Sequence, residues 1–321
     1  MSDLAVRSVV ASERSPDRGR SPAPQVASRR WPQPAAMLEL LKPITWFPPM
    51  WAFLCGVASS GAPLSRTWPM ALAGMVLAGP ALCGASQVVN DWFDRHVDAI
   101  NEPNRPIPSG RVPGRWGLGL AILWTCLSLG LAATLGPVVL AAAALGLILA
   151  WLYSAPPLRL KAQGWWGLAS VALCYEGLAW FTGAAATLRA FPDLRVVALA
   201  GLYSIGAIGI MILNDFKAVE GDRQMGVRTV QIELGIENAA WLAAILMAAP
   251  QLDVIALLIA WGHAWAAGLV GAVLAAQLVL MRRFVADPSR RAVMFSGFGV
   301  ALYVLGMMAS GVAVGMAGGV T

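Results

Sequence analysis

Residues 69–111 read PMALAGMVLAGPALCGASQVVNDWFDRHVDAINEPNRPIPSGR. The first part of this stretch, residues 69–90, is predominantly apolar, and a helix of about 20 such residues is long enough to cross the hydrocarbon core of a bilayer. Acidic residues follow directly, at Asp91, Asp94 and Asp98. The stretch therefore predicts a membrane-spanning helix that ends in a cluster of carboxylates at one membrane face.

The composition of the whole chain indicates the same environment. Hydrophobic residues make up 58% of the 321 residues and charged residues only 12%, about half of the ~25% charge of soluble domains. Residues 1–36 are polar and predict a disordered cytoplasmic tail, so that residues 37–321 form one membrane domain. The apolar runs of this domain predict an all-α integral membrane protein with nine transmembrane helices, at about 44–62, 69–90, 116–135, 137–153, 165–187, 195–214, 238–261, 262–284 and 292–315.

The positions of the basic residues predict how these helices are oriented. With the N-terminus in the cytoplasm, 20 of the 23 Lys and Arg residues fall on the cytoplasmic side, and only Arg66, Arg189 and Arg195 fall on the other. This asymmetry follows the positive-inside rule and puts the C-terminus on the opposite side. The net charge of +6 is therefore a topology signal, and we expect membrane lipid but no nucleic acid as a partner; the sequence identifies no protein partner.

A second acidic cluster resembles the first. Residues 214–222, NDFKAVEGD, follow an apolar run just as residues 90–98, NDWFDRHVD, do. Because four predicted helices separate the two clusters, both lie at the same membrane face, as in a divergent internal repeat. Carboxylates this close together repel one another unless cations lie among them, and oxygen ligands of this kind suit a Mg²⁺ ion that also binds substrate phosphates. The candidate metal ligands are Asp91, Asp94, Asp98, Asp215 and Asp222.

Basic residues surround these acids in the loops of the same face. Three prolines at positions 103, 106 and 108 restrict the backbone around Arg105. Arg159 and Lys161 follow the fourth predicted helix, which Tyr153 ends. Each basic residue alone is explained by topology, but carboxylates that hold Mg²⁺ and are ringed by Arg and Lys donors form a diphosphate site.

At this point the residues resemble the UbiA-type intramembrane prenyltransferases. The N-x-x-x-D-x-x-x-D motif of that family corresponds here to Asn90, Asp94 and Asp98, and the resemblance covers about residues 37–315. The strings at 90–111 and 214–235 are most similar to the branch of the family that makes chlorophylls and bacteriochlorophylls. The resemblance implies nine helices around a central cavity, with the active site at the cytoplasmic face of a bacterial inner, photosynthetic membrane.

The resemblance also implies roles for the residues of the two clusters and their loops. Relatives of the quinone-synthesis type carry an acid where this chain has Ala218, so Asp215, Glu220 or both take that role. The implied catalytic residues are Asp94, Asp98, Asp222 and Lys161. The implied substrate-binding residues are Asn90, Asp91, Arg105, Tyr153, Arg159, Asn214, Asp215, Lys217, Glu220, Arg228 and Glu176.

Glu176 is set apart from the other candidates, because it lies inside the fifth predicted helix. A carboxylate within the membrane is costly and normally faces a cavity or a polar partner. Two interpretations stay open: a hydrogen bond to a neighbouring helix, or contact with the acceptor substrate.

The reaction implied by the resemblance is Mg²⁺-dependent esterification of the propionate carboxylate of a chlorophyllide or bacteriochlorophyllide by geranylgeranyl or phytyl diphosphate. The acceptor carboxylate is already ionised at neutral pH and needs no strong base. Two other functions stay open. One is transfer of a prenyl group to an aromatic quinone precursor; the other is cation-coupled transport, since transporters also carry intramembrane acids and repeated motifs.

Overall fold

The protein is almost entirely helical. The computed structural model describes residues 30–216, 219 and 229–318. The α-helices in these residues are α1 (Pro34–Leu40), α2 (Phe47–Ser59), α3 (Leu64–Val76), α4 (Gly84–Asn101), α5 (Trp116–Leu135), α6 (Pro137–Ser154), α7 (Trp165–Ala172), α8 (Ala179–Leu188), α9 (Leu194–Asp215), α10 (Val230–Leu234), α11 (Ile236–Ala260), α12 (Ala264–Ala286) and α13 (Pro288–Gly318). The predicted all-α fold is confirmed. Residues 1–29 of the predicted tail lie outside the described residues, and α1 begins before the predicted domain boundary at residue 37.

Eight helical segments of the described chain are long and apolar enough to cross a membrane. Two of them join several elements: α3 and α4 form Leu64–Asn101, and α7 and α8 form Trp165–Leu188. α2 is apolar but has only 13 residues, fewer than the ~20 of a typical membrane-spanning helix. The predicted integral membrane protein is therefore confirmed, whereas the predicted count of nine transmembrane helices is not.

Both of the joined segments contain a π-helical turn. The turn at Leu77–Cys83 includes Pro80, which has no N–H and cannot continue the α-helical hydrogen-bond pattern. The carbonyl oxygen of Pro80 accepts a hydrogen bond from Trp124 Nε1 at 3.0 Å, so that α5 supports the irregular turn. The second π turn, Leu173–Leu178, lies between α7 and α8. A π turn contains one more residue than an α-helical turn and changes which side chains share a helix face.

Helices α2 and α8 contact each other through their backbones. A Cβ atom at Gly56 would lie only 1.9 Å from the carbonyl oxygen of Trp180, and one at Gly183 would lie 2.0 Å from the carbonyl oxygen of Phe53. No side chain fits at either position. Small residues allow this kind of close helix contact inside membranes, where van der Waals packing holds helices together.

Polar side chains in the core hydrogen-bond between helices. Trp180 Nε1 donates to Ser59 Oγ at 2.8 Å, and the Tyr303 hydroxyl donates to the carbonyl oxygen of Tyr203 at 2.7 Å. Trp180 and Tyr203 also stack, with their ring centroids 5.5 Å apart. These bonds satisfy polar groups that lipid cannot solvate and fix α2, α8, α9 and α13 relative to one another.

The loop that follows α4 is attached to α1 and to the chain before it. Arg111 donates from Nη1 and Nη2 to the two carboxylate oxygens of Glu39, at 2.5 and 2.9 Å. This hydrogen bond lowers the pKa of the Glu39 carboxyl. The Gln33 N–H donates to the carbonyl oxygen of Arg111 at 3.0 Å, and Trp116 Nε1 donates to that of Arg30 at 3.2 Å. The loop that carries Arg105 is therefore fixed at its far end.

Candidate active site

Helix α4 continues beyond its apolar part as a single helix to Asn101, which confirms the predicted helical continuation through the first acidic cluster. Asn90, Asp94 and Asp98 consequently lie on one face, and Asp91 lies beside them. The three acids form two groups by their partners: Asp94 contacts cations from the loop after α6, whereas Asp91 and Asp98 contact cations from the segments before α2 and after α4.

Lys161 is the central cation of the first group. Its Nζ donates to Asn90 Oδ1 at 2.9 Å and to Asp94 Oδ2 at 2.5 Å, and Arg159 Nη2 donates to Asp94 Oδ1 at 3.1 Å. Burial lowers the pKa of Lys161 below its usual value, although the hydrogen bond to Asp94 acts in the opposite direction. Arg159 has a left-handed backbone, with φ of 40°, a conformation that non-glycine residues adopt only when the surrounding structure holds it.

Arg105 and Lys42 bind the second group of acids. Arg105 Nη1 lies 3.0 Å from Asp98 Oδ2 and 3.7 Å from Asp91 Oδ1, and its Nη2 lies 2.7 Å from Glu102 Oε1. Burial opposes the charge of Arg105, but the hydrogen bond to Glu102 and the nearby acids raise its pKa overall. Lys42 Nζ donates to Asp91 Oδ1 at 2.7 Å, and the Asp91 side chain is only 3% exposed.

Lys42 was missed by the sequence analysis. Its only sequence signal is a basic residue directly before the first apolar run, in a Lys-Pro pair that also ends a short helix. Nothing in that signal relates it to Asp91, which lies 49 residues further along the chain.

The second acidic cluster is described only in part. Asn214 and Asp215 end α9, and Asn214 is exposed while Asp215 is half-buried. Tyr153, near the end of α6, lies within electrostatic range of both Asp215 and Asp94, so the ends of α9 and α4 come close to the same tyrosine. Lys217, Glu220, Asp222 and Arg228 lie outside the described residues.

A long cavity begins beside these charged groups and extends into the helix bundle. It contains about 1160 Å³ of empty space, including the part open at its mouth. Asn90 and Tyr153 line the end of the cavity that lies beside the charged groups. Ala78, twelve residues before Asn90 on the α3–α4 segment, also lines the cavity. At the helical rise, this separation corresponds to a depth of about 18 Å. Most of the wall is apolar, formed by side chains such as Leu82, Ala143, Leu147, Val171 and Leu178.

Glu176 does not line this cavity, although its neighbours Tyr175 and Leu178 do. Its side chain is buried within the second π turn, and its Oε2 has no hydrogen-bond partner among the described residues. Its position shows neither a hydrogen bond to this oxygen nor contact with a substrate in the cavity, so both interpretations of Glu176 stay predictions.

The acids of α4 suit a hard divalent cation by their chemistry, since carboxylate and amide oxygens are the ligands that Mg²⁺ prefers. Among the described residues, however, no group of three acidic, histidine or cysteine side chains converges on one point. Each acid of α4 is instead neutralised by Lys42, Arg105, Arg159 or Lys161. A metal at this site would therefore bind carboxylates that also contact these cations, and it would take further ligands from the second cluster.

Together, the helical membrane domain, the charged face and the long apolar cavity are typical of an intramembrane enzyme that acts on an amphipathic substrate. Residues 45–302 match the UbiA prenyltransferase family. The chain belongs to this family.

Two relatives and one solved structure illustrate the similarity. The chain is 55% identical to the bacteriochlorophyll synthase 33 kDa chain of Cereibacter sphaeroides, over 89% of this chain and 95% of the relative. It is 37% identical to the chloroplastic chlorophyll synthase of Oryza sativa, over 86% and 76%. A UbiA homolog from Archaeoglobus fulgidus, solved bound to GPP and Mg²⁺, has the same fold, with a TM-score of 0.63 and 20% identity over 84% of this chain and 99% of that chain.

Proposed function

We propose that this protein is a bacteriochlorophyll synthase, which esterifies the propionate carboxylate of a chlorophyllide or bacteriochlorophyllide with a geranylgeranyl or phytyl group. The 55% identity to the Cereibacter sphaeroides protein over nearly the whole chain supports this assignment. The structural observation that carries it is the Asn90–Asp94–Lys161–Arg159 cluster at the mouth of the cavity.

The charged cluster binds the diphosphate of the prenyl donor in this proposal. Lys161 and Arg159 are held near the cavity mouth by Asp94, and Arg105 is held by Asp98; the three side chains supply N–H donors to the phosphate oxygens. As the bond between C1 and oxygen breaks, its electron pair leaves with the diphosphate, and fixed cations stabilise the charge that develops there. Asn214 and Asp215 approach the same region from α9.

Mg²⁺ would be held by Asp94 and Asp98 of the first cluster and by Asp215 and Asp222 of the second, with Asp91 nearby. The Archaeoglobus fulgidus homolog bound to GPP and Mg²⁺ supports a metal requirement. When bound, Mg²⁺ neutralises part of the diphosphate charge. Lys42 binds and orients Asp91, and Arg105 does the same for Asp98.

The apolar tail of the donor occupies the cavity. Its wall of Leu, Ala and Val side chains removes the hydrocarbon chain from water and places C1 beside Asn90. The acceptor supplies a carboxylate oxygen, which forms the new bond to C1. No proton needs to be removed, because the carboxylate is ionised at neutral pH.

The proposed location is the bacterial inner, photosynthetic membrane, with the N-terminus and the active site in the cytoplasm and the C-terminus on the opposite side. The distribution of Lys and Arg supports this orientation, which requires the short helix α2 to cross the membrane in addition to the eight longer segments. Reporter fusions at the C-terminus and in the loop after α6 test it: only the loop fusion should be active for a cytoplasmic reporter.

The proposed function is tested in membranes of a host that makes no chlorophyll. Incubation with bacteriochlorophyllide a, labelled geranylgeranyl diphosphate and Mg²⁺ should yield a labelled pigment ester, measured by chromatography. Asp94→Asn should abolish it, while Asp253→Asn, which changes an exposed acid of α11, should not. Label found only in a hydroxybenzoate-type ring would assign an aromatic prenyltransferase instead, and loss of solute uptake with esterification intact would assign a transporter.

A further inference from the structure

The cavity wall below the charged cluster contains a group of polar side chains. Gln87 Nε2 donates to the Tyr175 hydroxyl at 3.2 Å, and the same hydroxyl lies 3.3 Å from Cys83 Sγ. All three residues line the cavity. Gln87 lies in α4 and Cys83 ends the π turn before it, whereas Tyr175 lies in the π turn between α7 and α8. The group therefore joins opposite walls of the cavity.

These side chains differ from the other polar groups of the wall in what they bind. The hydroxyls of Ser86 and Ser170 donate to carbonyl oxygens of their own helices, at 2.7 and 2.8 Å. Besides the Tyr175 hydroxyl, the Gln87 side chain hydrogen-bonds to the Cys83 thiol. Tyr175 has a sulfur atom beside its hydroxyl, and sulfur is a weak hydrogen-bond acceptor. Gln87 and Tyr175 can therefore both donate to a stronger acceptor in the cavity.

The position of this pair relative to the charged cluster is fixed by helix geometry. Gln87 precedes Asn90 by one helical turn, about 4.5 Å along the axis, and precedes Asp94 by about 10 Å. In a substrate with its diphosphate at Asp94 and its tail in the cavity, C1 lies near Asn90. A nucleophile must approach within about 3.5 Å of that carbon, which is within the reach of groups held by Gln87 and Tyr175.

We propose that Gln87 and Tyr175 bind and orient the carboxylate of the acceptor; the inference rests on the proposed function. The Gln87 N–H and the Tyr175 O–H donate to the same carboxylate oxygen, while the other oxygen forms the C–O bond to C1. The bond between C1 and the donor oxygen breaks, its electron pair leaves with the diphosphate, and no proton is transferred.

Gln87 and Tyr175 are uncharged hydrogen-bond donors, and such donors suit the binding of an anionic nucleophile. Neutral donors compensate for the loss of water around an anion without pairing it to a fixed cation, so the carboxylate keeps its reactive electron pair. Lys161 and Arg159 bind the diphosphate in the proposed function, and the cavity-lining residues include no charged side chain in the described part of the chain. A wall that binds only a prenyl chain gains nothing from an amide and a phenol at this depth.

The test compares Gln87→Leu and Tyr175→Phe with Ser86→Ala, a cavity-lining control that removes a hydroxyl bonded to its own helix. Steady-state assays measure KM separately for bacteriochlorophyllide a and for geranylgeranyl diphosphate. Loss of a hydrogen bond to a charged group should raise the acceptor KM about 10- to 100-fold, with the donor KM unchanged. A second measurement compares the free-acid acceptor with its methyl ester as competing ligands: the wild type should prefer the acid, and the two variants should lose that preference.

An unchanged acceptor KM in both variants overturns the inference, as does a preserved preference for the free acid. If both KM values rise together and the melting temperature falls, the pair only connects two helices, and the inference is again wrong. Failure of the wild type to esterify any chlorin acid refutes the proposed function itself, which separates the two conclusions.

Discussion

Lys161 connects parts of the chain that the sequence separates by 67 residues. Its ammonium group contacts both Asn90 and Asp94, so it orients the first acidic cluster and also presents charge at the cavity mouth. Arg159 supports the same carboxylate from the same loop. At the scale of single residues, the charge balance around Asp94 therefore depends on this one loop.

We predict that Lys161→Met lowers kcat/KM at least 100-fold, because it removes a phosphate donor and leaves Asp94 with Arg159 alone. Charge-assisted contacts of this kind contribute several kcal/mol to transition states. Lys161→Arg should retain part of the activity, and Arg115→Gln, an exposed arginine at the same face, should retain all of it. Equal activity of Lys161→Met and the wild type in the pigment-ester assay would contradict this role.

Lys42→Met should destabilise the protein by about 2 kcal/mol, since a buried carboxylate that loses its cation is left incompletely compensated. Arg105 Nη1 lies 3.7 Å from Asp91 Oδ1 and offsets only part of the negative charge that Lys42 leaves unpaired. The double variant Lys42→Met/Asp91→Asn should melt at a higher temperature than Lys42→Met alone. Additive losses in a double-mutant cycle, measured by thermal unfolding in detergent, would show that the two residues are independent.

At the scale of helices, the sequence predicted the bounds of α5 and the continuation of α4 through the first acidic cluster. The spacing of Asn90, Asp94 and Asp98 required only that the helix continue past the apolar run, which it does. The face on which Glu176 lies could not be predicted, because the π turn at Leu173–Leu178 changes the register of its helix. The contacts of Lys42 with Asp91 and of Gln87 with Tyr175 could not be predicted either, because these partners lie 49 and 88 residues apart in the sequence.

The contact between α2 and α8 gives a prediction at this scale. Gly183→Leu should lower the melting temperature strongly or prevent folding, because its Cβ would meet the Phe53 carbonyl oxygen and overpacking of a rigid contact costs 1–3 kcal/mol or more. Gly119→Leu is the matched control, since no atom lies within 4 Å of a Cβ there. The measurement is thermal unfolding of both variants, and equal melting temperatures would mean that α2 and α8 separate without cost.

At the scale of the whole molecule, the cavity should determine which donor chains are used. Ala143→Phe places a ring in the wall and should lower kcat/KM for geranylgeranyl diphosphate about tenfold more than for geranyl diphosphate, because only the longer chain extends past it. Ala141→Phe, on an exposed position of α6, is the control. Competition between the two donors in one assay measures the ratio, and an unchanged ratio would place the tail elsewhere.

The attachment of the loop after α4 to the segment before α1 has a practical consequence. Glu39, Gln33 and Arg30 hold Arg111 and Trp116, and the same loop carries Arg105. Deletion of the chain as far as residue 33, or an affinity tag inserted between residues 30 and 40, would release one end of that loop. Purification handles for this enzyme therefore belong outside residues 30–40, where they leave the anchorage of Arg105 undisturbed.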